Sequence, residues 1–375
     1  MTQHILYICG AFLMSALCGF VIIPLVLRFC KKKGLYDQPD IRKIHHKAVP
    51  RLGGISFLPS MLLASLVVLV AGDHYMEKHQ VSLSLWSVCF FCSLMIIYCV
   101  GIVDDLVGLG ARTKFAAQIV AATLLPLSGL YINNLYGFCG LNEIPFAAGA
   151  PLTIFIIIFT CNAINLIDGI DGLSAGLSLI ALTGFLVCFM REGMFVYSIL
   201  IAGLMGVLVP FLYFNIWGKA EKNTKIFMGD SGSLTLGFIL GFLFVKFTMD
   251  NPNVAPFRLD SMMLSYTLLI VPVYDVVRVS LVRMCHGAPI FQADKNHIHH
   301  KLMRAGMNQH QALLSILSLA VGYMLLNLLL WSFCNLSVII VVDIVVWMIF
   351  HWLLNKVILR RGNAVYQANN ARSHD

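Results

Sequence analysis

Charged residues are scarce in this chain. Only 12% of its 375 residues are Asp, Glu, Lys or Arg, whereas 59% are hydrophobic. Soluble domains carry roughly 25% charged residues, so this shortage excludes a string of soluble domains, although the length alone would allow about two or three. No segment recurs at a fixed period, which excludes a solenoid or a propeller. The pattern G-x-x-x-x-G-K-[ST] is also missing, which excludes a P-loop nucleotide-binding protein.

Long uncharged runs take up most of the chain. A helix crosses a bilayer with about 20 mostly apolar residues, and its backbone polar groups must bond within the segment. The sequence therefore predicts an all-α polytopic membrane protein with about eleven transmembrane helices. They form a single integral-membrane domain over 1–356, followed by a polar cytoplasmic tail over 357–375. No Lys or Arg precedes the first span, so we expect a retained helix rather than a signal peptide. The predicted spans are 5–29, 53–71, 84–102, 115–131, 150–164, 173–190, 195–214, 232–248, 261–282, 312–331 and 337–356.

Basic residues are divided unequally between the two sides of the predicted membrane. With loop 30–52 assigned to the cytoplasm, 22 of the 26 Lys and Arg residues lie at or near the cytoplasmic face. This asymmetry follows the positive-inside rule. Because the number of spans is odd, it predicts an external N-terminus and a cytoplasmic C-terminus. It also explains the net charge of +8 without nucleic-acid binding.

Most of the unusual polar residues fall in the loops assigned to the cytoplasmic face. Ionisable side chains at a membrane boundary are costly and usually have a role. Their clustering on one side predicts an active site at the cytoplasmic surface of the bundle. The loops concerned are 30–52, 103–114, 165–172, 215–231 and 283–311.

Carboxylates follow two of the predicted spans. Asp104 and Asp105 are adjacent, and they repel each other unless a cation or a shared proton intervenes. Asn165, Asp168 and Asp171 recur every three residues, which on a helix would place them on one face. Helix capping is the alternative for both segments. A cap needs fewer such groups, so we interpret both segments as candidate parts of the site.

Two further loops combine polar groups with helix starts or basic residues. In "IFMGDSGSLT", Asp230 comes just before a predicted helix, where free N–H groups suit phosphate and the carboxylate suits Mg²⁺. An N-cap is the alternative. In "ADKNHIHHKLMRAG", His297, His299 and His300 lie among basic residues, which suits binding or protonating phosphate. A zinc site lacks Cys or Glu partners at a familiar spacing, and a solvated basic face is the remaining alternative.

Four segments occur in a specific order: "VDDLVG", "NLIDGIDGLSAG", "FMGDSGS" and "DKNHIHHKLMRAG". With them the chain resembles the polyprenyl-phosphate N-acetylhexosamine-1-phosphate transferases, glycosyltransferase family 4, from about Lys33 to Gly306. The resemblance implies that undecaprenyl phosphate attacks the β-phosphorus of a UDP-sugar and that UMP leaves. It implies Mg²⁺ as the cofactor, with Mn²⁺ as a substitute, and a location in a bacterial inner membrane.

The resemblance also assigns roles to individual residues. Those implied as metal ligands are Asp230 and Asn165. Those implied as catalytic are Asp104, Asp105, Asp168 and His297. Those implied to bind substrate are Lys47, Lys114, Asp171, Asn215, His299, His300 and Arg304. Asp171 matches a position that contacts uracil in the family.

The form of the histidine segment bears on the donor. The "HIHH" form resembles enzymes that use UDP-N-acetylglucosamine, whereas phospho-N-acetylmuramoyl-pentapeptide transferases usually show "P-x-H-H-H" there. We therefore expect UDP-N-acetylglucosamine, with the muramoyl-pentapeptide donor as the alternative. An ion-coupled transporter is a rival of a different class and would place carboxylates near the midplane, as Asp343 is. A noncatalytic scaffold would not need the four segments. "GFILG" at 237–241 permits close helix packing within the chain or in a homodimer.

Overall fold

The computed structural model of the protein describes residues 2–36, 49–75, 84–287 and 296–372. Almost all of its regular structure is helical, as the apolar composition predicts. The helices are α1 (Thr2–Lys33), α2 (Phe57–Tyr75), α3 (Leu85–Val107), α4 (Ala111–Leu127), α5 (Phe146–Ile167), α6 (Leu173–Arg191), α7 (Phe195–Leu212), α8 (Gly229–Thr248), α9 (Ser261–Thr267), α10 (Ile270–Cys285), α11 (Ile298–Arg304), α12 (Gln309–Leu330) and α13 (Leu336–Arg372). Two short strands, β1 (Asn134–Phe138) and β2 (Leu141–Glu143), form an antiparallel hairpin.

Among the described residues, nine helices are long and apolar enough to cross a membrane. The chain is thus an all-α polytopic membrane protein, as the sequence predicts. The other two predicted spans also coincide with helices. The span at 115–131 corresponds to α4, which has only 17 residues and contains Pro126. The span at 261–282 is divided into α9 and α10, with Leu268 and Leu269 between the two helices.

Helix α8 forms the centre of the bundle. Every residue in its most apolar window is buried, because neighbouring helices cover it on all sides. A Cβ at Gly237 would lie 2.6 Å from Cys161 Cα, so α5 packs directly on the backbone of α8. Gly241 is similarly close to Ile157. The "GFILG" stripe is therefore used for packing within the chain, and it is not available to a homodimer.

The described loops divide between the two ends of the bundle. At one end, Asn133 Nδ2 donates to the carbonyl of Asp250 at 2.7 Å, beside the hairpin. Arg191 and Asp260 form an exposed ion pair at the same end. The loops that carry the four sequence segments lie at the opposite end, where side chains of α3, α4, α5 and α8 meet. One end of the bundle thus collects the candidate site residues.

A second, smaller hydrophobic core lies beneath these loops. It joins Ile167 and Ile170, from the segment around the aspartates, to Ile298 and Leu302 on α11. Helices α12 and α13 complete it, and Trp347 on α13 is among its buried members. This core therefore fixes the histidine segment against the aspartate segment.

One local prediction is wrong. Asn165 lies in the last turn of α5, but the helix ends at Ile167, so Asp168 and Asp171 are in a loop rather than on a helix face. Gly172 begins the next helix with φ of 77°, a left-handed conformation that glycine adopts without strain. The glycines of this segment turn the chain between two membrane helices, which the three-residue spacing alone does not reveal.

Candidate active site

Asp105 caps the start of the central helix α8. Its Oδ1 accepts a hydrogen bond from the backbone N–H of Asp230 at 2.8 Å, and its Oδ2 accepts one from Ser231 N at 2.9 Å. A carboxylate satisfies the free N–H groups at a helix N-terminus and interacts favourably with its dipole. The Arg51 side chain donates to the Asp105 carbonyl at 2.9 Å. Asp105 therefore holds Asp230 in place, whereas Asp104 points elsewhere.

Asp104 and Asp230 converge on one lysine. Lys114 Nζ, near the start of α4, lies 2.6 Å from Asp230 Oδ2 and 3.1 Å from Asp104 Oδ2. The other Asp104 oxygen accepts from the backbone N–H of Leu109 at 2.6 Å. Asn165 Nδ2 donates to Asp230 Oδ1 at 3.1 Å. Three separate stretches of sequence, 104–114 and the segments around Asn165 and Asp230, thus contribute to one cluster of carboxylate, amide and ammonium groups.

The residues of this cluster fit a magnesium ion. Within the described ranges, no three His, Cys, Asp or Glu side chains form a ready-made metal site. Mg²⁺ does not need such a set, because it binds through one or two carboxylates and shares oxygens with water and substrate phosphates. The Lys114 ammonium already stands as a cation between the Asp104 and Asp230 carboxylates. Asn165 adds an amide beside Asp230. Carboxylate and amide oxygens are ligands that suit a hard cation such as Mg²⁺.

Asp168 follows the end of α5 and has a different environment. Its side chain is exposed to solvent, although neighbouring protein atoms displace part of the water around the carboxyl. This partial desolvation, together with the negative charges of Asp230, Asp171 and Asp105, raises the pKa of Asp168 to about 7. The carboxyl is thus able to exchange a proton near neutral pH.

Asp171 and Asn215 hold the same loop from the other side. Lys225 Nζ lies 2.5 Å from Asp171 Oδ2, so this carboxylate is paired with an ammonium. Asn215 accepts from the backbone N–H of Gly172 at 2.7 Å and donates to the Ile226 carbonyl at 2.8 Å. The amide of Asn215 therefore joins two loop backbones. Its role in this structure is to position residues 168–172 between α5 and α6, which we name the aspartate loop.

Residues 296–306 form a segment that we name the histidine arm. Asp275 on α10 anchors its start. His297 Nδ1 lies 2.8 Å from Asp275 Oδ2, and the Ile298 N–H donates to Asp275 Oδ1 at 3.0 Å. Arg278 Nη2 also donates to Asp275 Oδ1, at 2.8 Å. Because Nδ1 faces the carboxylate, Nε2 is the nitrogen of His297 left for other partners.

His299 lies against the aspartate loop. A Cβ at Gly169 would lie 2.1 Å from His299 Nε2, so the ring touches the loop backbone. The ring is buried, and neither of its nitrogens has a hydrogen-bond partner among the described residues. Burial lowers the pKa of His299 to about 3, so the ring is neutral at physiological pH. The His300 ring lies 4.2 Å from it, centroid to centroid.

The remaining expected residues are placed less centrally. Arg304 Nη2 donates to Asn296 Oδ1 at 3.2 Å within the histidine arm. Lys47 lies outside the described residues. The structure thus brings Asp104, Lys114, Asn165 and Asp230 into direct contact, with Asp105 bonded to the backbone of Asp230. His299 contacts the aspartate loop at Gly169.

Sequence reasoning missed several residues that build the site. From the sequence alone, Lys225 and Arg51 only add to the excess of basic residues expected on one side of the membrane, and this excess needs no further explanation. Ser233, which accepts from Asn165 Nδ2 at 2.8 Å, carries no distinctive signal. Asp275, in contrast, does have a distinctive signal in the sequence. A carboxylate within an apolar span is energetically costly and usually functional.

Comparisons with known proteins identify the family of this chain. The family model described as "Glycosyl transferase family 4" matches residues 87–248, which include Asp104, Asn165 and Asp230. A Bacillus subtilis protein named "Probable undecaprenyl-phosphate N-acetylglucosaminyl 1-phosphate transferase" is 32% identical over 317 residues, covering 84% of this chain and 82% of the relative.

Two further relatives have almost the same name, "Undecaprenyl-phosphate alpha-N-acetylglucosaminyl 1-phosphate transferase". The Yersinia pestis protein is 27% identical over 84% of this chain and 80% of its own length. The Escherichia coli K12 protein is 28% identical over 77% of this chain and 74% of its own length. The likeness extends over most of the membrane bundle as well as over the carboxylate cluster, and the chain accordingly belongs to glycosyl transferase family 4.

Proposed function

We propose that this chain transfers N-acetylglucosamine 1-phosphate from UDP-N-acetylglucosamine to undecaprenyl phosphate. A phosphate oxygen of the lipid attacks the β-phosphorus of the donor. The bond from that phosphorus to the bridging oxygen breaks, and UMP leaves with the oxygen. A lipid-linked sugar pyrophosphate remains in the membrane. The names of the three relatives support this choice of substrates.

One observation carries the proposal. At the end of a membrane bundle, the Lys114 ammonium lies between two carboxylates. Its Nζ is 2.6 Å from Asp230 Oδ2 and 3.1 Å from Asp104 Oδ2. A reaction between two anionic phosphates needs charge stabilisation that is fixed in advance. A lipid acceptor also requires that this charge lie at the membrane boundary. The cluster meets both requirements.

We include Mg²⁺ in the proposal, with Mn²⁺ as a substitute. When bound, the ion would neutralise charge on the reacting phosphates and on the leaving UMP. Asp230, Asp104 and Asn165 would hold it, because they supply the oxygen ligands that Mg²⁺ prefers. Lys114 is then available to a substrate phosphate. Asp168, whose pKa is about 7, is the carboxyl suited to accept a proton from the lipid phosphate.

The rival reading as a transporter depends on Asp343 in α13. Its Oδ2 accepts from Tyr266 at 3.0 Å and from Asn327 at 2.9 Å, and Asn327 also donates to Thr267. These bonds join α9, α12 and α13 within the membrane bundle. Asp343 thus has a structural use as an interhelical bond, and the transfer reaction accounts for the conspicuous acidic segments.

The proposed reaction is tested by measuring transfer in a single variant of the carboxylate cluster. Asp230→Asn should reduce transfer in purified protein by at least about a thousandfold, because the cluster loses a charged ligand. Asp260→Asn is the matched control, since Asp260 forms only an exposed ion pair at the other end of the bundle. Near-normal transfer by Asp230→Asn would overturn the assignment of the site.

Donor choice is tested separately by competition. UDP-N-acetylglucosamine, UDP-N-acetylgalactosamine and UDP-N-acetylmuramoyl-pentapeptide are offered together, and the lipid products are separated. We expect the N-acetylglucosamine product to dominate. Preference for the muramoyl-pentapeptide would reassign the chain to the alternative reaction, and preference for N-acetylgalactosamine would change only the sugar.

We further propose that the site faces the cytoplasm of a bacterial inner membrane, with the N-terminus outside. The distribution of basic residues supports this orientation. Cysteines placed at the exposed Lys222 and at Asn253, on opposite ends of the bundle, provide the test in a background without native cysteines. In intact inner-membrane spheroplasts, an impermeant thiol reagent should label Asn253→Cys and leave Lys222→Cys unlabelled. The reverse pattern would invert the topology.

A further inference from the structure

We infer that the last membrane helix, α13, holds the histidine arm over the active site, and that Arg361 and His351 are positioning residues for the donor. The inference rests on the proposed transfer reaction. Two polar contacts, both formed between α13 and the arm, carry it. Neither belongs to the carboxylate cluster.

The first contact is made by Arg361. Its Nη1 donates to the backbone carbonyl of Ala305 at 3.0 Å, at the end of α11. A positive charge at the carbonyl end of a helix is favourable. The next residue, Gly306, has φ of 99°, and a Cβ there would lie 1.2 Å from Arg361 Nη1. The guanidinium thus lies directly on the arm backbone, in a space that only glycine leaves.

The second contact is made by His351, ten residues before Arg361 on α13. Lys301 Nζ lies 3.4 Å from His351 Nδ1, and the side chains of both residues are buried. A buried ammonium is costly without a hydrogen-bond acceptor, and the imidazole supplies one. The His351 ring also packs on Trp347, with ring centroids 4.7 Å apart. The buried face of α11 is therefore attached to α13 rather than resting loosely against it.

The arm transmits this attachment to the site. Its Ile298 and Leu302 are buried in the same core as Ile167 and Ile170, which flank Asp168 and Gly169. The His299 ring touches the backbone of the loop at Gly169. A displacement of the arm would therefore move the histidines relative to the aspartates. A misplacement of about 1 Å is enough to reduce catalysis by up to about a hundredfold.

The two contacts between α13 and the histidine arm could serve only to stabilise the fold, or they could also position the arm for the donor. The two roles have different effects on the kinetics. Loss of folded protein lowers the active fraction, which reduces the apparent kcat but leaves the KM of the remaining enzyme unchanged. Displacement of the histidine arm weakens contacts to the donor while leaving the lipid acceptor unaffected. The KM for the donor is thus the measurement that separates the two roles.

The test compares Arg361→Ala with Arg360→Ala in full-length purified protein. Arg360 is the adjacent, exposed arginine, so both variants lose the same charge from the same turn of α13. We expect Arg361→Ala to raise the KM for UDP-N-acetylglucosamine about tenfold, with the KM for undecaprenyl phosphate and the melting temperature nearly unchanged. Arg360→Ala should match the wild type. Arg361→Lys should recover most of the loss, because an ammonium still donates to the Ala305 carbonyl.

A second pair of variants tests the other contact. His351→Phe keeps an aromatic ring against Trp347 but removes the acceptor for Lys301, whereas His351→Gln keeps an acceptor. We expect a raised donor KM in His351→Phe and recovery in His351→Gln. An unchanged donor KM in both Arg361→Ala and His351→Phe would overturn the inference. Absence of transfer in the wild type would instead overturn the proposed function, so the two failures are distinguishable.

Discussion

Gly169, in the loop after α5, and His299, on α11, are in contact although they are about 130 positions apart in the sequence. The space between them is so small that a Cβ at Gly169 would lie 2.1 Å from His299 Nε2. Real Cβ atoms essentially never approach so closely, so a side chain at this position must displace the ring. The histidine arm and the aspartate loop therefore share one surface, and that surface depends on the absence of a methyl group.

Gly169→Ala should accordingly reduce transfer strongly. The His299 ring must move by more than 1 Å to make room, which we expect to lower kcat/KM by at least about tenfold. The measurement is steady-state transfer with the melting temperature recorded in parallel. Gly322→Ala on α12 is the control, because a Cβ there meets nothing within 4 Å. Wild-type kinetics in Gly169→Ala would show that the contact has no role in the reaction.

Lys114 gives a prediction in which activity and cation binding change in opposite directions. Replacement of Lys114 by Gln removes the positive charge between Asp104 and Asp230. Divalent cations should then bind the substrate-free protein more tightly, since the ammonium no longer competes for the carboxylates. Transfer should nevertheless fall by about a hundredfold, because a phosphate partner is lost.

Manganese binding followed by electron paramagnetic resonance, together with transfer assays, would check the Lys114→Gln variant. Lys222→Gln is the matched control, because Lys222 is exposed and its substitution removes the same charge. Weaker Mn²⁺ binding in Lys114→Gln would contradict the proposed competition between the ammonium and the metal.

The raised pKa of Asp168 predicts a dependence of stability on pH. The pKa of Asp168 is about 7 in the folded protein, compared with an ordinary value of 3.8. Below pH 3.8 the carboxyl is protonated in both states and costs no stability. The cost appears as pH rises through this interval, because the unfolded chain releases its proton more readily. Asp168→Asn should therefore raise the melting temperature at pH 8 without divalent cations, but only by about 1 °C, because the side chain is exposed and solvent screens much of the charge interaction.

The gain in Asp168→Asn should shrink as the pH is lowered from 8 towards 4. Thermal unfolding in detergent with a chelator, at three pH values, measures it. Asp260→Asn, at the other end of the bundle, should show no such gain. A gain for Asp168→Asn that is independent of pH would mean that the substitution acts through packing rather than through the charge.

Asp275 should be important both for stability and for the orientation of His297. It is fully buried and bonded to His297, to Ile298 N and to Arg278. Asp275→Ala leaves the Arg278 charge without this partner, and removal of one member of a buried ion pair costs about 3–5 kcal/mol. Asp275→Asn keeps an acceptor for the Ile298 N–H and should cost less.

Both Asp275 variants should lose at least about tenfold in transfer, because His297 loses the carboxylate that orients its ring. Chemical unfolding and transfer kinetics provide the two measurements. If Asp275→Asn transfers at the wild-type rate, the carboxylate stabilises the arm without orienting a histidine used in the reaction.

The sequence by itself determined the class of the fold and indicated several polar residues of the candidate site. Runs of about 20 apolar residues have few alternatives to membrane helices, because lipid offers no partner to an open backbone. The expensive polar residues at the ends of these runs identified Asp104, Asn165 and Asp230. These inferences depend on composition and local order, which the sequence contains directly.

Only the tertiary structure decided which groups touch. Asp104 and Asp105 are neighbours in the sequence, yet one converges on Lys114 while the other caps α8. Consecutive side chains on a helix point in directions about 100° apart, so their partners depend on which helices pack beside them. The same holds for the loop at Asp168, where turn geometry overrides the three-residue spacing. The contact of Arg361 with Ala305 joins residues 56 positions apart, and only packing of α13 on the arm creates it.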